Sequence, residues 1–220
     1  MTLVVAHRGM PAVAPDNSLA GFAAAVEAGA DAVELDVRRR SDGVLVCHHD
    51  SGDAAGAPTL AEAIATVGGR VPLQVDVKET GFEEEVTAQL AAALAPDRYW
   101  LTSLEDASIA RFRRLDPRIR CALTLGRERP TPYVRTRLSE LYPFRRVDAC
   151  GALELAPEVR LVQLGLGRRA RRRGVGLMVW TVDDERRLRW LFERVRPATV
   201  ITNRLELALW VRAGRSRPER

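Results

Sequence analysis

Apolar residues recur along this chain as short runs separated by stretches with helical spacing, and the alternation repeats from one end to the other. Leu3-Val4-Val5-Ala6 reads as a buried strand that leaves its sheet at His7-Arg8-Gly9. Pro11 and Pro15 keep the next stretch extended, Asn17 or Ser18 caps a helix whose apolar face carries Leu19, Phe22 and Val26, and Gly29 closes it. From Ala30 to Val37, apolar Val33, Leu35 and Val37 alternate with Glu34 and Asp36, the period of a strand with two unlike faces. Ser41-Asp42-Gly43 then turns the chain, and a short apolar run delivers His48, His49 and Asp50. After the small-residue loop Ser51 to Ala57, Thr59 caps a helix from Leu60 to about Val67.

The same reading predicts further strands at Leu73 to Val77, Tyr99 to Ser103, Arg120 to Leu125, Val147 to Cys150, Val175 to Trp180 and Thr199 to Thr202. Helices fall between them: from Gly81 to Leu94, Glu105 to Leu115, Pro132 to Leu141, Pro157 to Arg173, Asp184 to Val195 and Leu205 to Arg212. Gly214 is a stop signal, and the polar tail through Arg220 is expected to be disordered. Strand-helix units of roughly 25 to 30 residues, repeated eight times, predict an α/β fold of the (β/α)8 or TIM-barrel type, a single domain over residues 1–213 with a very short insertion after the second strand. Active sites of such barrels lie at the C-terminal ends of the strands. His7, Glu34, Asp36, Asp76, Lys78, Ser103, Trp180 and Asn203 all fall at or near those ends.

With 220 residues, 46% hydrophobic and 29% charged, the chain has the composition of a water-exposed globular protein. No apolar run is long enough to cross a bilayer and the first residues lack the pattern of a signal peptide, so a cytoplasmic location is expected. Cys47, Cys121 and Cys150 are odd in number and far apart, which predicts buried free thiols. A net charge of +5 raises nucleic acid or anionic lipid as a partner, but the basic residues are arginines save Lys78. The densest run, Arg168 to Arg173, reads as a solvated helix face, and 5% aromatic content offers few platforms for bases, so no nucleic acid is expected.

Candidate chemistry begins with Glu34 and Asp36, two carboxylates on one face of a buried strand. They repel each other and lose hydration, so they require a raised pKa or a cation between them. A hard divalent ion, Mg²⁺ or Ca²⁺, meets that need with oxygen ligands, and Asp76 repeats the pattern two residues before Lys78. Salt bridges from Glu34 and Asp36 to rim arginines, and an ion pair of Asp76 with Lys78 or Arg8, are the bland alternatives. Zinc is disfavoured by the scarcity of imidazoles. With Arg8 and Lys78 nearby, the pocket suits a phosphate group. Two of the three histidines could then move protons at its two sides. Trp180 reads as barrel filling, as a platform for substrate, or as both.

In chain order, His7-Arg8-Gly9, Pro15-Asp16-Asn17-Ser18, Gly29-Ala30-Asp31 with Glu34-x-Asp36, Asp42-Gly43, His49-Asp50, Trp180-Thr181-Val182 and Thr202-Asn203 resemble the glycerophosphodiester phosphodiesterase family over nearly the whole chain. The resemblance implies a (β/α)8 barrel, one divalent cation, and hydrolysis of a small-molecule glycerophosphodiester to glycerol 3-phosphate and an alcohol. It implies His7 and His49 as the acid-base pair, Glu34, Asp36 and Asp76 as metal ligands, Arg8 as a phosphate contact, and His48 as a structural neighbour. Lys78 and Trp180 are read as further substrate contacts. The chain departs from the family pattern in Asp76, where glutamate is usual, in Asp183 and Asn203, where asparagine and aspartate are usual, and in the shortness of the loop after Asp50. That loop leaves room for a bulkier, lysophospholipid-like diester. A lyase-type release of cyclic phosphate, and a basic binding module without turnover, stand as the other readings.

Overall fold

Eight parallel strands close on themselves in the computed structural model, which describes residues 1–52, 54–126 and 133–214. They are β1 (Leu3–Ala6), β2 (Ala32–Arg39), β4 (Leu73–Val77), β5 (Tyr99–Ser103), β6 (Arg120–Leu125), β7 (Glu154–Pro157), β8 (Gly176–Val179) and β9 (Thr199–Thr202). Closure comes from β1, which pairs with β9 on one side and β2 on the other. A short β3 (Leu45–Cys47) runs antiparallel to β2, with Val37 opposite Cys47. The segment between β2 and β4 therefore holds this hairpin and the helix Leu60–Val67, and no larger insertion.

Strand alternation sorts the side chains into two apolar zones. Val5, Ala32, Trp100, Ala122, Ala156, Met178 and Ile201 fill the barrel interior, while Val4, Val33, Leu35, Val75, Leu101 and Leu123 face outward onto the helices. Glu34, Asp36 and Asp76 take inward positions that a pure core would give to aliphatics. The first helix, Leu19–Glu27, is capped by Ser18, whose hydroxyl accepts the Gly21 N–H. Thr59 and Glu62 cap Leu60–Val67 reciprocally.

One strand differs from expectation. Val147 to Cys150 is helical, within Phe144–Cys150, and the sixth barrel strand is β7, with sequence Glu-Leu-Ala-Pro. Val147 and Cys150 are buried while Asp148 is exposed, which is the i, i+3 face of a helix. The inward Glu154 is tied to Arg120 at 2.5 and 2.8 Å and passes under Gly176, where a Cβ would lie 2.6 Å from its carboxylate.

The other boundaries fall within a few residues of those predicted. The helix expected from Pro132 is present as Tyr133–Leu141, its expected first residue lying outside the described residues, as does the tail from 215 on. The arginine run sits on Gly167–Arg172 with Arg168, Arg171 and Arg172 exposed. Cys47, Cys121 and Cys150 are free and buried. Burial pushes the Cys121 thiol up to about 12. Among the described residues no helix is long and apolar enough to cross a membrane.

Candidate active site

Register places the acids. Asp36 on β2 lies directly beside Asp76 on β4, and Asp76 beside Thr102 on β5. Glu34 is two residues back on the same face of β2. Oxygen atoms of Glu34, Asp36 and Asp76 come within 4.8 Å of one another, and the three residues are 3%, 0% and 6% exposed. Lys78 Nζ sits between two of them, 2.6 Å from Asp36 Oδ1 and 2.5 Å from Asp76 Oδ2. Arg8 Nε lies 3.0 Å from Asp36 Oδ2. Of the ion pairs weighed against a metal, those of Asp36 with Arg8 and of Asp76 with Lys78 are thus present, Lys78 also pairs with Asp36, and Glu34 accepts the Arg8 backbone N–H.

Burial, and then the neighbouring Asp36, drive the Glu34 carboxyl well above the usual carboxylate range. Burial pushes Asp36 upward too, but Lys78 and Arg8 outweigh it and its net shift is downward. For Lys78 burial works against the ammonium, yet Asp76 and Asp36 carry its pKa above the usual lysine value.

Two non-glycine residues adopt left-handed backbone here, Arg8 at φ 55 and Asn17 at φ 56. Their strain has a visible return. Arg8 turns its N–H onto Glu34 Oε2 at 2.8 Å and its carbonyl onto the Asn17 N–H at 3.0 Å. Asn17 clamps Asp36 twice, donating from Nδ2 to Oδ2 at 2.8 Å and accepting the Asp36 N–H at 3.0 Å. Gly9, at φ 86, makes the approach of this turn to the first helix feasible, since a Cβ there would stand 2.7 Å from the Gly21 carbonyl carbon. On the far side Thr102 Oγ1 donates to Asp76 Oδ1 at 2.6 Å, with Thr124 Oγ1 at 3.3 Å.

Each histidine is held differently. His7 extends the β1–β9 ladder, its N–H on the Thr202 carbonyl at 3.0 Å, and its Nδ1 is 2.7 Å from Asn203 Oδ1. Burial and the adjacent Arg8 lower its pKa. His49 is brought back along β2 by the hairpin. The His48 N–H bonds the Asp36 carbonyl, Arg38 Nε bonds the His49 carbonyl at 2.9 Å, and His49 Nδ1 meets Asp50 Oδ1 at 2.8 Å. Both imidazoles line one cleft of about 490 Å³, together with Arg8, Glu34, Asp76, Lys78 and Trp180. Asp36 lies beneath its floor, and His48 is not among the lining residues. Trp180 spends its indole N–H on the Ala156 carbonyl at 2.6 Å and lies against the inner barrel cluster, so its ring is at once filling and wall. Ser103, expected at the rim, is buried and bonds the Val77 carbonyl.

The donor set fits a hard divalent cation. It consists of carboxylate oxygens from adjacent strands, three buried acids gathered around the two cations Lys78 and Arg8. Thr102 and Thr124 carry no sequence signal as site residues, because a threonine on an apolar strand is ordinary. Asn17 enters the sequence reading as a helix cap and through the family pattern, and Asp183 through the family pattern alone.

A closed parallel barrel with acids, cations and imidazoles converging at the strand ends suits an enzyme of anionic substrates, and the family profile and named relatives of this sequence make that class specific: a phosphoric diester hydrolase. The sequence matches the profile of the Glycerophosphoryl diester phosphodiesterase family over residues 7–64 and 58–207. The chain belongs to that family. A glycerophosphodiester phosphodiesterase of Bacillus altitudinis is 29% identical over 62% of this chain and 72% of its own length. Another, from Caldanaerobacter subterraneus subsp. tengcongensis, is 26% identical over 83% of this chain and 86% of its own. Among solved structures, the Oleispira antarctica phosphodiesterase in complex with the product sn-glycerol-3-phosphate shares the fold with a TM-score of 0.79 at 19% identity, covering 95% of this chain and 96% of that one.

Proposed function

We propose that this enzyme hydrolyses a glycerophosphodiester to glycerol 3-phosphate and an alcohol, with one divalent cation, Mg²⁺ or Ca²⁺, held by Glu34, Asp36 and Asp76. The observation that carries the reading is the buried three-carboxylate cluster opening into a cleft lined by both His7 and His49. A cation bound there would supply Lewis-acid stabilisation of charge on the phosphoryl oxygens. Arg8 and Lys78 add fixed positive charge beside the phosphate position. One imidazole removes a proton from the attacking oxygen and the other returns one to the departing alcohol. Such a reaction belongs to lipid and glycerol metabolism, and three free cysteines suit a reducing compartment such as the cytoplasm.

One observation favours a larger leaving group than a simple headgroup. The cleft adjoins, at Gly126 and Trp180, a second hollow of about 600 Å³ whose described lining sets Leu141, Leu161 and Leu164 beside Arg137, Glu158 and Arg160. An alcohol bearing an acyl chain, as in a lysophospholipid, would find apolar surface there.

The test is a panel of glycerophosphocholine, -ethanolamine, -glycerol, -inositol and a lysophospholipid, assayed with Mg²⁺, Ca²⁺ or EDTA. Phosphorus NMR of the product separates glycerol 3-phosphate from a cyclic phosphate. Activity abolished by EDTA, and lowered about 10²-fold or more in His7→Ala and in His49→Ala with cation binding retained, is the expected result. Turnover unaffected by EDTA or by either substitution would remove the proposal.

A further inference from the structure

The side chain of Asp183 touches neither of the residues read as the acid-base pair, yet its bonding dictates the chemical form of one of them. Its carboxylate accepts three donors: Thr202 Oγ1 at 2.9 Å, the Asn203 N–H at 2.8 Å and Asn203 Nδ2 at 2.8 Å. Thr202 Oγ1 in turn accepts the Arg204 N–H at 2.9 Å, which leaves its own proton for Asp183. The orientation of the Asn203 amide follows. Turned over, it would press its carbonyl oxygen against Asp183 Oδ2, two acceptors at hydrogen-bond distance. With the NH₂ group committed to Asp183, Oδ1 is the atom left facing His7 Nδ1 at 2.7 Å, and an acceptor so placed requires a proton on that nitrogen.

We infer that Asp183 and Asn203 are positioning residues that hold neutral His7 in its Nδ1–H tautomer, leaving Nε2 with a free lone pair to accept a proton in the cleft. The inference rests on His7 serving in acid-base chemistry, but the tautomer itself is a property of the resting protein. Burial and Arg8, which lower the His7 pKa, add to the effect by keeping the ring neutral. Backbone supports the same geometry: the His7 N–H lies on the Thr202 carbonyl, so β1 and β9 present imidazole and amide side by side. Isolated neutral imidazole side chains favour the proton on Nε2, the opposite choice. The network therefore has to be present for the Nδ1–H form to dominate.

Two-dimensional NMR on full-length protein labelled with ¹⁵N-histidine, in Mg²⁺ buffer at pH 8, reads the tautomer directly, with His7→Gln assigning the signal. The wild type should show a protonated Nδ1 and an unprotonated Nε2 for His7. Asn203→Ala should shift that ring toward the Nε2–H form and lower kcat about 10 to 100-fold with KM nearly unchanged. The exchanged pair D183N/N203D keeps an acceptor toward His7 and a donor between the two residues. It should restore the Nδ1–H pattern and recover turnover relative to Asn203→Ala, which a loss through misfolding would not permit. A wild-type His7 protonated at Nε2, or an Asn203→Ala ring unchanged in tautomer, overturns the inference. A wild type with the Nδ1–H form but no phosphodiesterase turnover would instead sink the proposed function and leave the tautomer assignment standing.

Discussion

In a chain whose other cationic Lys/Arg side chains are all arginine, Lys78 sets a compact point charge between two carboxylates. Its side chain is 14% exposed and its ammonium lies within 2.6 Å of carboxylates on both β2 and β4. Removing one partner of a buried ionic cluster leaves the others uncompensated. Lys78→Met should therefore cost about 3 to 5 kcal/mol of stability in EDTA. Urea denaturation checks this, and a midpoint equal to that of the wild type would show that the ammonium does not balance the acids. Saturating Mg²⁺ should shrink the difference, because a cation on the same oxygens replaces part of the lost charge. Lys78 and the acids were legible in the sequence because ionisable residues alternating with aliphatics on a strand must be compensated inside a barrel, by an ion pair or by a bound cation. Asn17 was legible as a capping candidate and as part of the Pro15-Asp16-Asn17-Ser18 pattern, but not as a clamp on Asp36. Its αL backbone and its paired hydrogen bonds to Asp36, 19 residues further along the chain, leave no periodic trace.

At the scale of elements, the turn after β1 is the piece on which the site depends most. Arg8 and Gly9 are successive residues at φ 55 and φ 86, and through them the Arg8 N–H reaches Glu34. Gly9→Ala carries two penalties, the left-handed backbone and a Cβ 2.7 Å from the Gly21 carbonyl carbon. Gly43→Ala, at φ 89 in the β2–β3 turn with nothing within 4 Å of its Cβ, carries the first alone. The backbone term is about 1 to 2 kcal/mol for each, and crowding should add about 1 to 3 for Gly9. Gly9→Ala should also weaken Mg²⁺ binding in calorimetry, whereas Gly43→Ala should leave it intact. Equal destabilisation of the two variants would refute the close-approach argument. Most strands were legible because their apolar runs are bounded by glycine, proline or polar turns. β7 was not, because it opens on an inward glutamate neutralised by Arg120 and ends on a proline, while Val147 and Cys150 offered a short apolar pattern that a helix face fits equally well.

For the whole molecule, the question is whether closing the barrel and loading the site are separate contributions to stability. The residues that lead into β1 meet the helix Leu205–Arg212 at Arg212. Its guanidinium bonds the Thr2 carbonyl at 3.2 Å and the Asp31 carboxylate, whose Oδ2 also accepts the Val4 N–H at 2.7 Å. This latch lies at the N-terminal end of β1, and Glu34 and Asp76 of the cluster line the cleft at the other end. Arg212 and Asp31 are 19% and 22% exposed at the side chain, so Arg212→Ala should cost less than a fully buried pair, about 1 to 3 kcal/mol, or roughly 2 to 10 °C in Tm. A ligand that binds the folded state at 100 times its Kd stabilises it by about 2.7 kcal/mol, so Mg²⁺ at that excess should raise Tm by roughly 5 to 10 °C over the EDTA form. Distant sites without shared partners add. Arg212→Ala should accordingly lower both melting curves and leave their separation unchanged, while Glu34→Gln should collapse the separation itself. Thermal scans of wild type and both variants with and without Mg²⁺ decide it. A wild type whose Tm ignores divalent cations would remove Glu34, Asp36 and Asp76 as a metal centre. A separation that vanished in Arg212→Ala would show instead that the latch and the site melt as one unit.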